Sequence, residues 1–136
     1  MDRTLVICKP DAVERGLVGL IVGRLESKGL RLVACEMRQV DEATARAHYA
    51  EHAEKPFFGE LVEFITRSPA VVMVVGGPPG TWSIVRTLMG STNPAEAAPG
   101  TIRGDLGTLL TENLVHGSDS DQSAEREIAL FFPDLV

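Results

Sequence analysis

The stretch 113–132 constrains the fold most, because a short apolar step runs into an amphipathic pattern. Apolar side chains recur at spacings of three and four at Ala124, Ile128, Phe131 and Phe132. This periodicity predicts a helix over 121–132, and Ser118 with Asp121 fits a capping box at its start. His116 therefore stands near the amino end of a helix, where unpaired backbone N–H groups and the helix dipole favour an anion such as phosphate.

His116 admits two interpretations at this point. Glu127, one turn into the helix, is placed to reach back to a ring nitrogen. A carboxylate on one nitrogen fixes the tautomer and leaves the other nitrogen free to attack, which is the arrangement of nucleophilic histidine catalysis. Alternatively, His116 caps the helix and has only a structural role. The spacing alone leaves both interpretations open.

Bulk properties narrow the class of protein. A chain of 136 residues suits one domain, 1–136, and has no apolar run near the roughly 18 residues of a membrane span. The net charge of −6 argues against broad electrostatic binding to nucleic acid. The first four residues lack a signal-peptide pattern, which predicts a cytoplasmic location. Cys8 and Cys35 lie in apolar runs without CxxC spacing and are predicted to be buried free thiols.

Strand and helix patterns alternate along the chain. Strands are predicted at 4–8, 31–40 and 71–75, and helices at 17–28, 42–49, 57–68 and 82–89, the last capped by Thr81. Period two places Val33, Cys35 and Met37 on one strand face. The stretch 90–112 is predicted to be an irregular loop, and so long a loop is uncommon without a function. These patterns indicate a layered α/β domain and leave its topology open.

Three cations stand on three different predicted elements. Lys9 follows a strand, Arg86 lies on a helix and Arg103 lies in the long loop. Their convergence would neutralise a polyphosphate, whereas each one alone is typical of a solvated surface charge. Thr92 offers phosphate a hydroxyl or is simply a turn residue before Asn93.

The aromatic residues also have two interpretations each. Phe57 can stack on a base, or it can join the core at helical spacing with Leu61. Tyr49 can approach His116 or merely pack. His48 and His52 are spaced for a metal pair, but without an HExxH pattern they are predicted to be surface histidines.

The stretch 113–120 reads NLVHGSDS and fits the pattern NxxH[GA]SD[SGA]. Further blocks occur in a matching order: Lys9-Pro10-Asp11, the 15–19 step RGLVG, His48-Tyr49, the 55–59 block KPFFG, Thr92-Asn93-Pro94 and the 99–105 block PGTIRGD. With these blocks the whole chain resembles the nucleoside diphosphate kinases, and in particular the short bacterial, actinobacterial-like members.

The resemblance implies a ferredoxin-like fold, with a four-stranded antiparallel sheet and helices packed on it. It implies ping-pong transfer of the γ-phosphoryl group from ATP or another nucleoside triphosphate to a nucleoside diphosphate, through a phosphohistidine at His116 oriented by Glu127. The other roles that it implies fall to residues around the nucleotide: Lys9 and Asn113 at the sugar hydroxyl near the reacting phosphate, Tyr49 lining the pocket, Arg86, Thr92 and Arg103 on the phosphates, Phe57 stacked on the base, Leu61 and Leu110 flanking it, and Asp119 holding Mg²⁺ through water.

The resemblance also bears on partners. It favours a homohexamer, with a tetramer possible, and no specific nucleic acid or membrane partner is expected. The alternative function is a nucleotide-binding regulatory or structural oligomeric protein that lacks turnover.

Overall fold

The computed structural model describes residues 2–135. Its elements, in chain order, are β1 (Asp2–Cys8), α1 (Pro10–Glu14), α2 (Val18–Ser27), β2 (Arg31–Arg38), α3 (Glu42–His48), α4 (Phe58–Thr66), β3 (Ala70–Gly77), α5 (Thr81–Met89), α6 (Ile102–Leu106), β4 (Val115–Gly117) and α7 (Asp121–Phe131). A single 3₁₀ turn covers Ala50–His52. Among these residues no helix combines the length and apolar character that crossing a membrane would require.

Within residues 2–135 four strands form one antiparallel sheet in the order β2-β3-β1-β4. The β-branched run of β3 lies in the middle and is buried along nearly its whole length, as expected for a strand covered on both faces. β4 is short and pairs with the end of β1, so that His116 lies opposite Ile7. This topology confirms the ferredoxin-like antiparallel sheet that the resemblance implies.

Helices cover both faces of the sheet. On one face, α2 and α5 contribute Ile21, Leu25, Val85 and Met89 to a buried cluster. On the other face, α3, α4 and α7 contribute Ala45, Val62, Ile65 and Phe131. The period of each helix thus supplies one apolar stripe to a core that it shares with the sheet.

The edge strand β2 differs from two predictions, one on the face that its side chains share and one on the burial of Cys35. Its register with β3 shifts between Leu32 and Ala34, and Val33 packs against the α7 side of the sheet. The predicted common face of Val33, Cys35 and Met37 is therefore wrong, because a bulge reverses the alternation. The predicted burial of Cys35 is also wrong, since this thiol is exposed on the edge strand. Cys8 is buried as predicted, and its burial raises the pKa of the thiol to about 12.

Several element boundaries also differ from prediction. Ser120, not Ser118, caps α7 by accepting a hydrogen bond from the backbone N–H of Ser123 at 3.0 Å. Gly80, not Thr81, occupies the N-cap of α5. The stretch 90–112 contains α6, whose start is capped by the Thr101 hydroxyl, and α1 begins with Pro10 at its first position. Helices this short have too little periodicity to be visible in sequence.

Candidate active site

A cavity of about 720 Å³ opens beside β4. All twelve side chains that sequence analysis singled out line it: Lys9, Tyr49, Phe57, Leu61, Arg86, Thr92, Arg103, Leu110, Asn113, His116, Asp119 and Glu127. They come from the end of β1, from β4, from the helices α4, α5, α6 and α7 and from the segments that connect the elements, so the tertiary fold brings them together. The size and the mixed lining suit a ligand with an apolar end and a charged end.

His116 and Glu127 are in direct contact. The Nε2 atom of the imidazole lies 2.7 Å from Oε1 of the carboxylate, and Glu127 is buried in α7. The Ser118 hydroxyl donates a hydrogen bond to the same oxygen at 2.8 Å, and Arg126 lies 3.5 Å from the other oxygen. Burial on its own would raise the pKa of Glu127, but the imidazole and the hydroxyl outweigh it and lower the pKa. The carboxylate therefore stays ionised and holds Nε2, which leaves Nδ1 as the ring nitrogen without that restraint.

The backbone before His116 is strained. Leu114 has φ +73°, and the N–H of Val115 donates to the carbonyl of Asn113 at 2.8 Å, which closes a γ-turn. Such a conformation persists only where its surroundings enforce it. Here the N–H of Leu114 donates to the buried Asp11 carboxylate at 3.0 Å, and its carbonyl accepts from the N–H of Lys9 at 2.9 Å. The turn sets where β4 begins and hence where the imidazole lies.

Lys9 and Asn113 form a pair on the cavity floor. The Lys9 ammonium donates to the Asn113 side-chain carbonyl at 2.8 Å, and the Asn113 amide donates to the Thr92 backbone carbonyl at 3.0 Å. Burial and the nearby Arg103 guanidinium lower the pKa of Lys9 to about 8. A bound anion would therefore favour the charged form of Lys9.

The two arginines are held by backbone carbonyls. Arg86 donates to the Gly117 carbonyl at 2.8 Å, directly beyond the imidazole in β4. Arg103 is buried, and its guanidinium donates to the carbonyls of Asn113, Gly90 and Val115 at 3.1, 3.1 and 2.7 Å. Burial and the charge of Arg86 lower the pKa of Arg103 to about 10. Two adjacent guanidiniums in a buried setting indicate a site built for a multiply charged anion.

The outer end of the cavity is apolar. Phe57 is 42% exposed and Leu110 57% exposed, although both are large hydrophobic side chains, and the half-buried Leu61 lines the same cavity. Phe57 therefore does not belong to the core, and its ring is available to a planar ligand. Tyr49 is buried beside the catalytic end, and its burial raises the pKa of the phenol to about 12, so it remains protonated.

His48 is a residue that the sequence analysis assigned wrongly. It is 3% exposed instead of lying on the surface, and its ring meets the His116 ring edge-on at 4.5 Å between centroids. Burial, followed by the charge of His116, lowers the pKa of His48 to about 3, so its imidazole is neutral. The sequence did contain a signal for this burial, because Ala45 and His48 form the buried stripe of α3 and the buried Tyr49 directly follows the helix. His52 is half-buried at the cavity rim.

Ser118 is a second residue whose position the sequence did not predict. Its buried hydroxyl accepts from the N–H of Leu5 at 3.3 Å while it donates to Glu127. It thereby ties the central strand β1 to the carboxylate in α7. Ser118 is only two residues from His116 in sequence, but the direction of its side chain depends on the tertiary fold.

Asp119 is suited to a hard divalent cation. Its carboxylate lies at the charged end of the cavity, and a hydrogen bond from Ser123 together with the nearby Arg86 lowers its pKa. Mg²⁺ prefers one or two carboxylate oxygens with waters and substrate phosphates over a dedicated cage of protein ligands. A single ionised carboxylate beside an anion site therefore fits this ion.

The fold and the cavity together define a nucleotide-binding phosphotransferase of the ferredoxin-like α/β class. The family model described as nucleoside diphosphate kinase matches residues 2–135. The chain belongs to the nucleoside diphosphate kinase family, and its activity is that of a nucleoside-diphosphate kinase, which needs a divalent cation and binds nucleotides.

Individual relatives agree over nearly the whole chain. The nucleoside diphosphate kinase of Thermobifida fusca is 59% identical over 136 residues, with all of both chains covered. That of Archaeoglobus fulgidus is 60% identical over 134 residues, which is 98% of this chain and 88% of the relative. Among solved structures, a halophilic nucleoside diphosphate kinase from Halobacterium salinarum in complex with CDP superposes with a TM-score of 0.94 at 53% identity, covering 98% of this chain and 88% of that one.

Proposed function

We propose that His116 is the residue that carries the phosphoryl group between nucleotides. The observation that supports this assignment most strongly is the 2.7 Å contact between Nε2 of His116 and the ionised Glu127 carboxylate. In a neutral imidazole held this way, Nε2 has the proton and Nδ1 has the lone pair. The ring is part-exposed towards the cavity, so a γ-phosphorus can approach it.

The reaction proceeds in two mirror-image steps. The Nδ1 lone pair attacks the γ-phosphorus of a nucleoside triphosphate such as ATP, the bond from phosphorus to the bridging oxygen breaks, and its electron pair leaves with the nucleoside diphosphate. A terminal oxygen of a second diphosphate then attacks the same phosphorus, and the electron pair of the N–P bond returns to Nδ1. One site therefore serves both donor and acceptor.

The surrounding residues supply charge and position. Arg86, Arg103 and Thr92 face the phosphates. Lys9 and Asn113 hold the sugar hydroxyl next to the reacting group, and Tyr49 closes the catalytic end of the cavity. Phosphoryl transfer depends mainly on such positioning and electrostatic stabilisation. Asp119 would hold Mg²⁺ through water, and the bound ion would supply positive charge to the nucleotide's own phosphates.

The apolar end of the cavity predicts broad specificity for the nucleotide base. Phe57 stacks on the ring face of the base, with Leu61 and Leu110 flanking it, and every base offers a π-face. The polar contacts assigned above go to phosphate and sugar, which carry no base information. We further propose that the chain works as a single domain, 1–136, in a cytoplasmic homohexamer.

Labelling of the enzyme tests the assignment. Incubation with ATP labelled at the γ-phosphate is expected to leave acid-labile label on the wild-type protein, and His116→Ala is expected to retain none. His52→Ala is a matched control, because it removes a histidine from the rim of the same cavity. Acid-labile label on His116→Ala would overturn the assignment. A wild-type protein that binds nucleotide but converts no GDP to GTP would instead favour the alternative of a regulatory or structural oligomeric protein without turnover.

A further inference from the structure

A cluster of three potential metal ligands lies at the inner wall of the cavity. One nitrogen of His48, one nitrogen of His116 and one carboxylate oxygen of Glu127 all lie within 4.8 Å of one another. His48 and Glu127 are buried, whereas His116 is part-exposed towards the cavity. The phosphoryl transfer described above makes no use of His48.

His48 has an unusual environment for a buried polar side chain. Both of its ring nitrogens are shielded from solvent, and neither has a hydrogen-bond partner among residues 2–135. Buried polar groups without partners are rare because each one forfeits its hydration. The ring lies edge-on to that of His116, at an interplanar angle of 81°, and one of its unpaired nitrogens lies within 4.8 Å of the catalytic pair. A group that accepts an imidazole lone pair would satisfy one of these two nitrogens.

The donor set selects one class of ion. Two imidazoles and one carboxylate with an open fourth position match the ligands of borderline divalent ions such as Zn²⁺. Mg²⁺ prefers oxygen ligands and retains its waters, so it has little affinity for such a set. Ligands of a tetrahedral Zn²⁺ ion lie roughly 3.4 Å apart. The separations here lie within 4.8 Å, so each would close by about 1.4 Å at most through side-chain rotation. The 2.7 Å pair of His116 and Glu127 would instead open. His48, His116 and Glu127 all line the cavity, which offers space for a fourth ligand.

We propose that His48, His116 and Glu127 form a Zn²⁺-class metal site that is separate from the Mg²⁺ position at Asp119, and that its occupation switches off phosphoryl transfer. A neutral imidazole has one available lone pair. Metal on either nitrogen of His116 leaves none for phosphorus, and metal on Glu127 removes the contact that orients the ring. The inhibitory half of this inference rests on the proposed function of His116, whereas the metal binding does not.

Titration with Zn²⁺ in the absence of nucleotide tests the binding half. Isothermal calorimetry on the full chain is expected to show one tight site in the wild type and in the control His52→Gln, and at least about tenfold weaker binding in His48→Gln and His48→Phe. The phenylalanine variant keeps an aromatic ring at this position and removes both nitrogens. Equal affinity in all four proteins would overturn the site.

X-ray absorption at the zinc edge of the wild-type complex makes the test independent of how the variants fold. Scattering from two imidazoles is expected, and a spectrum with one or none would refute the assignment. In the functional arm, Zn²⁺ added with excess Mg²⁺ is expected to prevent labelling of the wild type from ATP but not of the His48 variants. Identical inhibition of both would place the inhibitory ion elsewhere. Absence of labelling without Zn²⁺ would instead refute the proposed function and leave the calorimetric result standing.

Discussion

Ser118→Ala is expected to destabilise the protein although it deletes a single oxygen atom. The hydroxyl donates to the buried Glu127 carboxylate at 2.8 Å and accepts from the N–H of Leu5 at 3.3 Å. A hydrogen bond to a charged group contributes about 1.5–3 kcal/mol, and the orphaned N–H adds about 1 kcal/mol. The free energy of unfolding should therefore fall by roughly 2.5–4 kcal/mol in urea denaturation followed by circular dichroism.

The same variant should also slow formation of the phosphoenzyme, since Glu127 loses one of the contacts that hold it against His116. Ser83→Ala is the matched control, because this serine is exposed on α5 and its replacement should change the unfolding free energy by less than about 0.5 kcal/mol. If Ser118→Ala behaves like Ser83→Ala in both measurements, the link from β1 through Ser118 to the carboxylate has no energetic role.

Two further predictions concern pH. The pKa of Lys9 is about 8 in the folded protein and near 10.4 when unfolded, so the ammonium loses its charge above pH 8 only in the native state. Nucleotide affinity, measured by equilibrium titration, should decline as the pH rises through about 8, and Lys9→Gln should bind more weakly without that decline; an unchanged alkaline slope in Lys9→Gln would contradict the assignment. His48 has a pKa of about 3 when folded and near 6.5 when unfolded, so the unfolded state binds more protons between these values. The free energy of unfolding should therefore fall by about 2 kcal/mol as the pH drops from 6.5 to 5, a range that lies above the lowered pKa of Glu127. His48→Phe should flatten this pH dependence in urea melts. A slope that persists in His48→Phe would show that another group causes it.

The longer elements were predictable because their patterns are local. The stripe of apolar residues in α7 and the β-branched run of β3 each report on neighbours a few positions away, and both elements formed as predicted. The bulge in β2 was not predictable, because it depends on which strand lies alongside and in which register. The exposure of Cys35 follows from the same cause, since whether a strand lies at the edge of a sheet is a property of topology.

The candidate site was predictable to a different degree. His116 and Glu127 are eleven residues apart, and the strand-to-helix step alone suggested their contact. Arg103 was a candidate from its charge and position, whereas the resemblance nominated Asn113, which accepts a hydrogen bond from Lys9 across 104 residues of chain. His48 was assigned to the surface because its environment depends on α7 and β4 packing over α3. Local spacing contains no information about such long-range neighbours.

By itself the sequence determined the periods of the longer strands and helices, the family resemblance and the identity of the groups able to handle phosphate, because these depend on residue type and on neighbours within a few positions. Only the tertiary structure decided which nitrogen of His116 stays free, how far the pKa of Lys9 falls and that His48 lies beside the catalytic pair. Those properties depend on desolvation and on distances of a few ångströms between remote segments, and the chain acquires both only when it packs.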